Sequence, residues 1–398
     1  MKMIKEKRLK VCQFIDSYFP TMDGGLIVAH NYAKFLSKMG FESSLIAPGS
    51  KKYKKSDYKS HLFFSIPVPG MYPYRIGIPY FDIKFKKEIK NIKFDIVHSH
   101  SPFLTGHLAL KIAKRKNIPH VTTFHTKWKE DFKKVIKNDF IVNLLIKYVA
   151  SFYNKADVVW VPNESTGKEL IKYGFKGKYE IMRNGCDIEI DKKEIKKLRE
   201  MSLSDGIRRK EDFVMLFVGQ HRWEKGVKII LESLRILKEK GENFNMIFVG
   251  EGYAKKDMEK FVRKFNLEKN VKFAGLILDR EKLKKFYAAA DLYVFPSKYD
   301  NSSLTVQEAA AFYIPSILVK DSSTAESITD NLNGFTIKYN PSDLANKIRF
   351  LMKRPKLIKA VGDNARKTIY HPWKNVLEDA KIKYLNIIDV YNKKLNSH

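Results

Sequence analysis

Cysteine is nearly absent from this sequence: 398 residues contain two, Cys12 and Cys186. One pair cannot build a disulfide framework, and neither stands at a metal-ligand spacing, which excludes disulfide scaffolds and zinc modules. Both are expected as small buried hydrophobes in a reducing compartment. No run of 18 apolar residues occurs, so no membrane-spanning helix is expected. The N-terminus, MKMIKEKRLKVCQFIDSYFP, is basic, but its apolar run has only a strand's length and no signal-peptide pattern follows. These absences point to a cytoplasmic protein whose membrane contact, if any, is peripheral, at the inner face of the cell membrane. Acid is also scarce: 44 Asp and Glu face 75 Lys and Arg, for a net charge of +31.

That charge calls for an anionic partner: nucleic acid, an acidic membrane surface, or a phosphate-bearing substrate. An A/T-rich genome that writes Lys wherever a surface permits would produce part of it. A nucleic-acid binder is the remote reading, because the basic residues are Lys-heavy and no zinc pattern, RNP-type sequence or recognition helix is present. The charge is uneven. Residues 51–150 hold 21 Lys or Arg against 7 Asp or Glu, a local net of +14. Hydrophobic content of 44% and aromatic content of 13% indicate a packed globular chain, and 398 residues suggest two domains.

Short apolar runs alternate with helical patterns. LKVCQFI (9–15), ESSLIAP (42–48), FDIVHSH (94–100), PHVTTFH (119–125) and ADVVWVP (156–162) read as strands, with an amphipathic helix over 25–40 and another over 105–116. The pattern restarts at DFVMLFVG (212–219) and continues through NMIFVGEG (245–252), VKFAG (271–275), DLYVFPS (291–297) and PSILV (315–319). This βαβα order predicts an α/β fold of two doubly wound, Rossmann-like domains. We place them at 1–186 and 212–373, joined by the charge-rich segment 187–211 and followed by a C-terminal helix in 374–398. Ligands of open parallel sheets bind beyond the carboxyl ends of the strands, beside helix N-termini, so a ligand in a cleft between the domains is expected.

The chemistry-bearing residues fall at such ends. In DSYFPTMDGG (16–25), Gly24 and Gly25 let a ligand approach a helix that starts near Leu26, although a glycine pair also suits an ordinary turn. In LFVGQHRWEKG (216–226), a strand ends at Gly219 and delivers Arg222 and Lys225 into a loop, two cations suited to a diphosphate or simply to a solvated basic loop. VGEG (249–252) repeats the geometry at Gly250. In FPSKYDNSSLTVQEAAA, Asp300 or Asn301 could cap a helix whose first turn is Ser302, Ser303, Leu304 and Thr305, with amides available to phosphate. Glu308, eight positions after Asp300, could accept hydrogen bonds from vicinal hydroxyls, as acids do for a ribose. Amides and cations for phosphates, with acids for hydroxyls, describe a nucleotide-sugar site.

At this point the sequence resembles the retaining glycosyltransferases of family 4. VGQHRWEKG, VGEG and FPSKYDNSSLTVQEAAA are similar to the family's donor half. DSYFPTMDGG, HSHSPF, TFHTKWKEDF, VPNESTGKEL and IMRNGCD are similar to its acceptor half. The likeness covers residues 9 to about 370 and is greatest to the members that glucosylate 1,2-diacylglycerol. It implies the GT-B arrangement, with the C-terminal helix crossing back to the first domain. It implies a hexosyltransferase that keeps the α configuration and needs no cofactor beyond its donor, a UDP-sugar. Mg2+ would at most stimulate and not be a fixed ligand. The resemblance further implies that Lys225, with an Arg, neutralises the diphosphate, that Asp300 meets the transferred sugar, and that Glu308 meets the ribose. His125 would lie near sugar and acceptor, with Gly24 and Gly25 at the phosphate end. Two positions depart from the family: Gln220 stands where its Arg is usual, leaving Arg222 to substitute, and Asp300 replaces a usual Glu. His98 and His100 in HSHSPF have a metal-like spacing but no third ligand.

The basic quarter of the chain bears on the acceptor. KWKEDFKKVIKNDFIVNLLIKYVASFY (127–153) sets Trp128, Phe132, Val135, Ile136, Phe140, Leu144, Leu145 and Tyr148 at helical intervals, with Lys133, Lys134 and Lys137 between. Such a helix lies on an anionic bilayer or packs into a core. FDIKFKKEIKNIKF (81–94), with Lys86, Lys87 and Lys90, suits the same surface, and the loop 66–80 offers exposed apolar groups. These features favour a lipid acceptor over a soluble or polyprenyl-linked glycan.

Overall fold

The computed structural model describes residues 8–21, 23–49, 57–69 and 74–397. The expectations for the N-terminal seven residues, for Met22 and for 70–73 of the apolar loop lie outside the described residues. The chain divides into two units, Met1–Gly185 with Trp373–His398, and Cys186–Pro372.

The first unit is built on seven parallel strands. In chain order these are β1 (Lys10–Phe14), β2 (Glu42–Pro48), β3 (Lys59–Phe63), β6 (Ile96–Ser99), β7 (His120–Thr123), β8 (Val158–Val161) and β9 (Tyr179–Ile181), with a small antiparallel pair, β4 (Ile66–Pro67) and β5 (Arg75–Ile76), inserted after β3. The spatial order is β3-β2-β1-β6-β7-β8-β9, so β1 sits between β2 and β6 and the winding reverses there. The inner strands β1, β2, β6, β7 and β8 are buried almost throughout, as a sheet covered on both faces requires, while the edge strand β9 is exposed at Glu180 and Ile181. The helix Trp373–Asn396 belongs to this unit. It buries Trp373, Val376, Leu377, Ala380 and Tyr384 in a cluster with Val11, Tyr32, Trp160 and Met182. Gly185 makes room for it, since a Cβ there would lie 2.6 Å from the Trp373 ring.

The second unit repeats the plan with β10 (Val214–Val218), β11 (Asn245–Val249), β12 (Val271–Gly275), β13 (Leu292–Phe295), β14 (Ser316–Val319) and β15 (Phe335–Ile337). Their order is β12-β11-β10-β13-β14-β15, with the reversal between β10 and β13. The segment expected as a connection, 187–211, is instead part of this unit. It carries the helix Lys192–Ser204, capped by Asp191, which buries Leu198 and ties Arg199 to Asp291. Its charged residues lie on the outer face, and the short apolar stripe they flank is enough to dock it.

The basic amphipathic stretch 127–153 is two helices, Trp128–Val135 and Asp139–Tyr153. Asn138 starts the second by accepting from the amides of Phe140 at 2.9 Å and Ile141 at 3.2 Å. Val142, Ile146 and Val149 turn inward; Phe140, Leu144 and Tyr148 stay exposed.

Candidate functional site

In the second unit the two loops at the switch point, after β10 and after β13, touch. Gly226 holds φ at +77°, and a Cβ there would lie 2.2 Å from the Pro296 carbonyl oxygen, so only glycine permits the crossing. Gly250 does the same one strand over, with φ +134° and 2.0 Å from such a Cβ to the carbonyl oxygen of Gly219. The consequence is that Lys225 and Asp300, far apart in sequence, form an ion pair, each largely shielded from solvent. Ser297 Oγ donates to the other Asp300 oxygen at 2.6 Å, and the Lys225 ammonium lies 5.4 Å from the Tyr299 ring centre. Arg222 donates to Glu224 at 3.0 Å and to Gln220 Oε1 at 3.3 Å, while the Tyr253 hydroxyl donates to the other Glu224 oxygen. Both expected diphosphate cations therefore rest on carboxylates.

Asp300 is not a helix cap. Ser303 holds the N-cap position and the helix runs Leu304–Ala311, so Asn301 and Ser302 precede it and the first turn starts later than expected. Thr305 Oγ1 accepts from the Tyr293 hydroxyl at 2.6 Å and lies 2.9 Å from Ser303 Oγ, which fixes that turn. Glu308 is buried at 7% exposure. Its Oε1 accepts from Arg280 Nη2 at 2.9 Å and its Oε2 from the Tyr287 hydroxyl at 2.6 Å. Arg280 also pairs with Asp187. Burial opposes the Arg280 charge, but Glu308 and Asp187 outweigh it and hold the guanidinium above its ordinary pKa. Burial, reinforced by Glu308, pushes the Tyr287 hydroxyl well above its ordinary value, so it remains a donor.

Sequence reasoning missed Arg280, Asp187, Tyr287, Glu224 and Ser297. Their signal was present only as polar residues at strand and helix ends. His221, inside the quoted motif, packs among Phe217, Phe248 and Phe273, and burial lowers its pKa to about 4.

In the first unit Gly24 and Gly25 open the helix Gly24–Lys38, two residues earlier than expected, with Asp23 capping the Leu26 amide at 2.8 Å. Among the described residues a Cβ on Gly24 would meet nothing within 4 Å. At the same sheet edge Asp16, after β1, accepts from the Thr105 amide at 2.9 Å and from Ser101. Burial raises its pKa, and those hydrogen bonds oppose the rise. Three imidazoles cluster here, His98 within β6 and His100 and His125 just past the ends of β6 and β7. His98 lies 2.6 Å from the Tyr384 hydroxyl and 2.7 Å from Thr123 Oγ1, which satisfies both ring nitrogens within the core. His100 Nδ1 lies 3.0 Å from His125 Nε2, and its Nε2 lies 2.8 Å from Gln13 Oε1. Burial depresses His98 and His100 well below the usual histidine pKa, and His125 to about 4. Among the described residues, no group of three or more His, Cys, Asp or Glu is placed to hold a metal ion.

The expected surface residues fall in the same unit. Lys86, Lys87 and Lys90 lie on the exposed side of the helix Ile83–Asn91, whose Phe85 and Ile89 turn inward. Phe81, just before it, is 82% exposed, and Phe140 is 77% exposed. Phe140 and Leu144 line a groove of about 480 Å³ with Lys129, Lys147 and Lys172. Lys133 and Lys134 are exposed and pair with Asp139 and Asp131, each at 2.9 Å. Trp128 departs from expectation: it packs edge-on to Phe103 at 4.8 Å, because its large ring gains more from that cluster than from solvent. Among the described residues no helix is long and apolar enough to cross a membrane.

The architecture has known counterparts. HepE from Anabaena, solved with UDP and glucose, superposes with a TM-score of 0.72 at 16% identity over 98% of this chain and all of that one. The fold, two Rossmann-like units with parallel sheets, is GT-B, and the protein is a glycosyltransferase. Residues 22–190 match the model for Glycosyltransferase Family 4, and residues 202–368 match that for Glycosyl transferases group 1. The chain belongs to glycosyltransferase family 4. It is 25% identical over 403 residues to the alpha-monoglucosyldiacylglycerol synthase of Acholeplasma laidlawii, covering 98% of this chain and all of that protein. To the protein of the same name in Streptococcus pneumoniae it is 24% identical, covering 85% and 77%.

Proposed function

We propose that the enzyme moves glucose from UDP-glucose to a 1,2-diacylglycerol at an anionic membrane surface, with retention of the α configuration. The observation that carries the acceptor is the set of exposed apolar side chains, Phe81, Ile83, Phe140 and Leu144, flanked by lysines on a unit with net positive charge. Side chains of this kind, isolated from any core, suit insertion at a lipid interface, and each nearby Lys adds about 1 kcal/mol of attraction to an anionic leaflet. The synthases similar to this chain support the same substrate class.

The donor reading rests on the second unit. The Lys225–Asp300 pair is poised for exchange: an arriving diphosphate offers the ammonium denser negative charge than one carboxylate and releases Asp300 toward the transferred sugar. Arg222 would follow from Glu224 in the same way. Glu308, held rigid by Arg280 and Tyr287, would accept from the ribose hydroxyls with the lone pairs those donors leave. Lys225, Arg222 and the amides before Thr305 would then stabilise charge growing on the departing UDP. The acceptor hydroxyl forms its bond to the anomeric carbon on the face that UDP leaves, and its proton passes to the diphosphate. His125 orients that hydroxyl. No step calls for a cofactor or a fixed metal ion.

One assay tests the reading: UDP release from a panel of sugar nucleotides, with and without diacylglycerol in anionic micelles. Diacylglycerol-dependent release from UDP-glucose supports it. Release that ignores the lipid but responds to a soluble or polyprenyl-linked glycan refutes the acceptor assignment.

A further inference from the structure

We infer that the groove between the helices Asp139–Tyr153 and Glu164–Lys172 seats one anionic phospholipid, its phosphate among Lys129, Lys147 and Lys172 and the start of an acyl chain on Phe140 and Leu144; the inference rests on the membrane face proposed above. This lipid is distinct from the acceptor. A 1,2-diacylglycerol is uncharged and offers three ammonium groups no counter-charge. The walls come from three helices. Trp128–Val135 contributes Lys129, whose amide donates at 3.0 Å to the hydroxyl of buried Tyr173, just past Glu164–Lys172. Asp139–Tyr153 contributes Phe140, Leu144 and Lys147 at intervals of four and three, which is one side of a helix. Glu164–Lys172 contributes Glu169 and Lys172, again three apart. The resulting volume, about 480 Å³, is that of a small-molecule site.

Charge singles this groove out. Elsewhere on the same helices Lys133 and Lys134 are neutralised by Asp139 and Asp131, each at 2.9 Å. Among the described residues neither Lys129 nor Lys147 has an acid within ion-pair distance; Lys129 attracts Asp139 only at longer range. Glu169 meets Lys172 at 3.5 Å, so three cations share one acid. A phosphodiester supplies the missing negative charge with oxygens that accept from ammonium groups. The hydrocarbon decides which phosphate. Phe140 and Leu144 are 77% and 59% exposed on the same wall, and a soluble anion would leave them in water where an acyl chain would cover them. One molecule carrying both a phosphate and a chain satisfies the whole lining. Such a seat differs from diffuse attraction to a charged surface, because it depends on which lysines are present and not on net charge alone.

The test titrates the full chain calorimetrically with dihexanoyl phosphatidylglycerol below its micelle concentration, so that no lipid surface is present. One site per chain is expected. Dihexanoyl phosphatidylcholine has the same chains without net charge, and glycerol phosphate has the charge without chains; each should bind about tenfold more weakly or worse. Lys147 and Lys172 are exposed, so replacing them leaves the fold intact. Lys147→Gln with Lys172→Gln should weaken phosphatidylglycerol roughly thirtyfold, from about fivefold for each lysine. Leu144→Ser should weaken phosphatidylglycerol and spare glycerol phosphate. Neutralising Lys86, Lys87 and Lys90 should leave the affinity for the monomer unchanged. Equal binding of phosphatidylcholine, wild-type affinity in the double variant, or as large a loss on neutralising Lys86, Lys87 and Lys90 refutes the site. Inorganic phosphate or glycerol phosphate binding as tightly as phosphatidylglycerol overturns the lipid assignment in favour of a soluble anion. Diacylglycerol-dependent UDP release in uncharged micelles tests the acceptor separately: its absence with monomer binding intact defeats the acceptor reading alone, and its presence without monomer binding defeats the groove alone.

Discussion

Replacing Glu308 by Gln keeps the side chain's shape and removes its charge. In the wild type, Oε1 accepts from Arg280 at 2.9 Å and Oε2 from Tyr287 at 2.6 Å. The amide can turn its oxygen to Arg280, which has no lone pair to offer, and its NH2 to the Tyr287 oxygen, whose hydrogen rotates away. Both contacts survive in neutral form. Arg280 is 39% exposed in its side chain and keeps Asp187, so solvent and that second acid screen the lost attraction. The expected stability loss is about 1 kcal/mol, a fall in Tm of about 2–4 °C for a domain of this size. Binding should suffer more. Two ribose hydroxyls losing a charged acceptor, at about 1.5 kcal/mol each, amount to roughly a hundredfold in affinity. Calorimetric titration with UDP and release of UDP from UDP-glucose measure this. Wild-type UDP affinity and turnover, with only the small Tm shift, would make Glu308 part of an ion-pair scaffold and refute the donor-site reasoning.

Three further outcomes are expected. Lys225→Ala should abolish transfer and also leave the shielded Asp300 without its ammonium; Asp300→Asn in that background should recover thermal stability but not turnover, and recovered turnover would remove both from the donor site. Neutralising Lys86, Lys87 and Lys90 together should weaken sedimentation with phosphatidylglycerol vesicles while sparing UDP-glucose hydrolysis; equal loss of both would place the membrane face elsewhere. Acid should destabilise the fold early. His98, His100, His120, His125 and His221 have folded pKa values depressed by burial, His120 to about 3 and His125 and His221 to about 4, against about 6.5 unfolded. The unfolded chain therefore binds more protons, and stability falls as pH drops from about 6.5 toward 4. Buried Asp16 and Asp23, raised by desolvation, act in the opposite sense and temper the slope. A urea midpoint at pH 5.5 equal to or above that at pH 7.5 would contradict the assignment.

The doubly wound plan was legible because strand and helix periodicities alternate cleanly and glycines close the strands. Errors arose where a pattern served two masters. The apolar stripe of 127–153 runs unbroken through a helix end, and only Asn138, one polar residue, marks the break. The segment 187–211 reads as linker because charge outweighs its apolar residues, yet Leu198 alone, with Ile195 beside it, suffices to dock a helix. Trp128 carries the composition of an interfacial anchor, but its neighbour Phe103 comes from a different loop that periodicity cannot place.

The site shows the same limit more sharply. Residue types at strand ends announced cations, acids and glycines, but not which acid would meet which cation. Lys225 finds Asp300 across 75 positions, and Glu308 finds Arg280 across 28. Those partnerships belong to the fold and not to either motif; the first depends on β10 and β13 being neighbours at the reversal. They also explain how a chain with net charge +31 can keep Asp300 beside a proposed anion site. Without a ligand, Asp300 relieves Lys225 of burial without a counter-charge, which would otherwise cost several kcal/mol. Ser297 and Lys225 hold the Asp300 carboxylate close to the loop, and under the proposed donor reading it would turn toward a sugar only once a diphosphate takes the lysine.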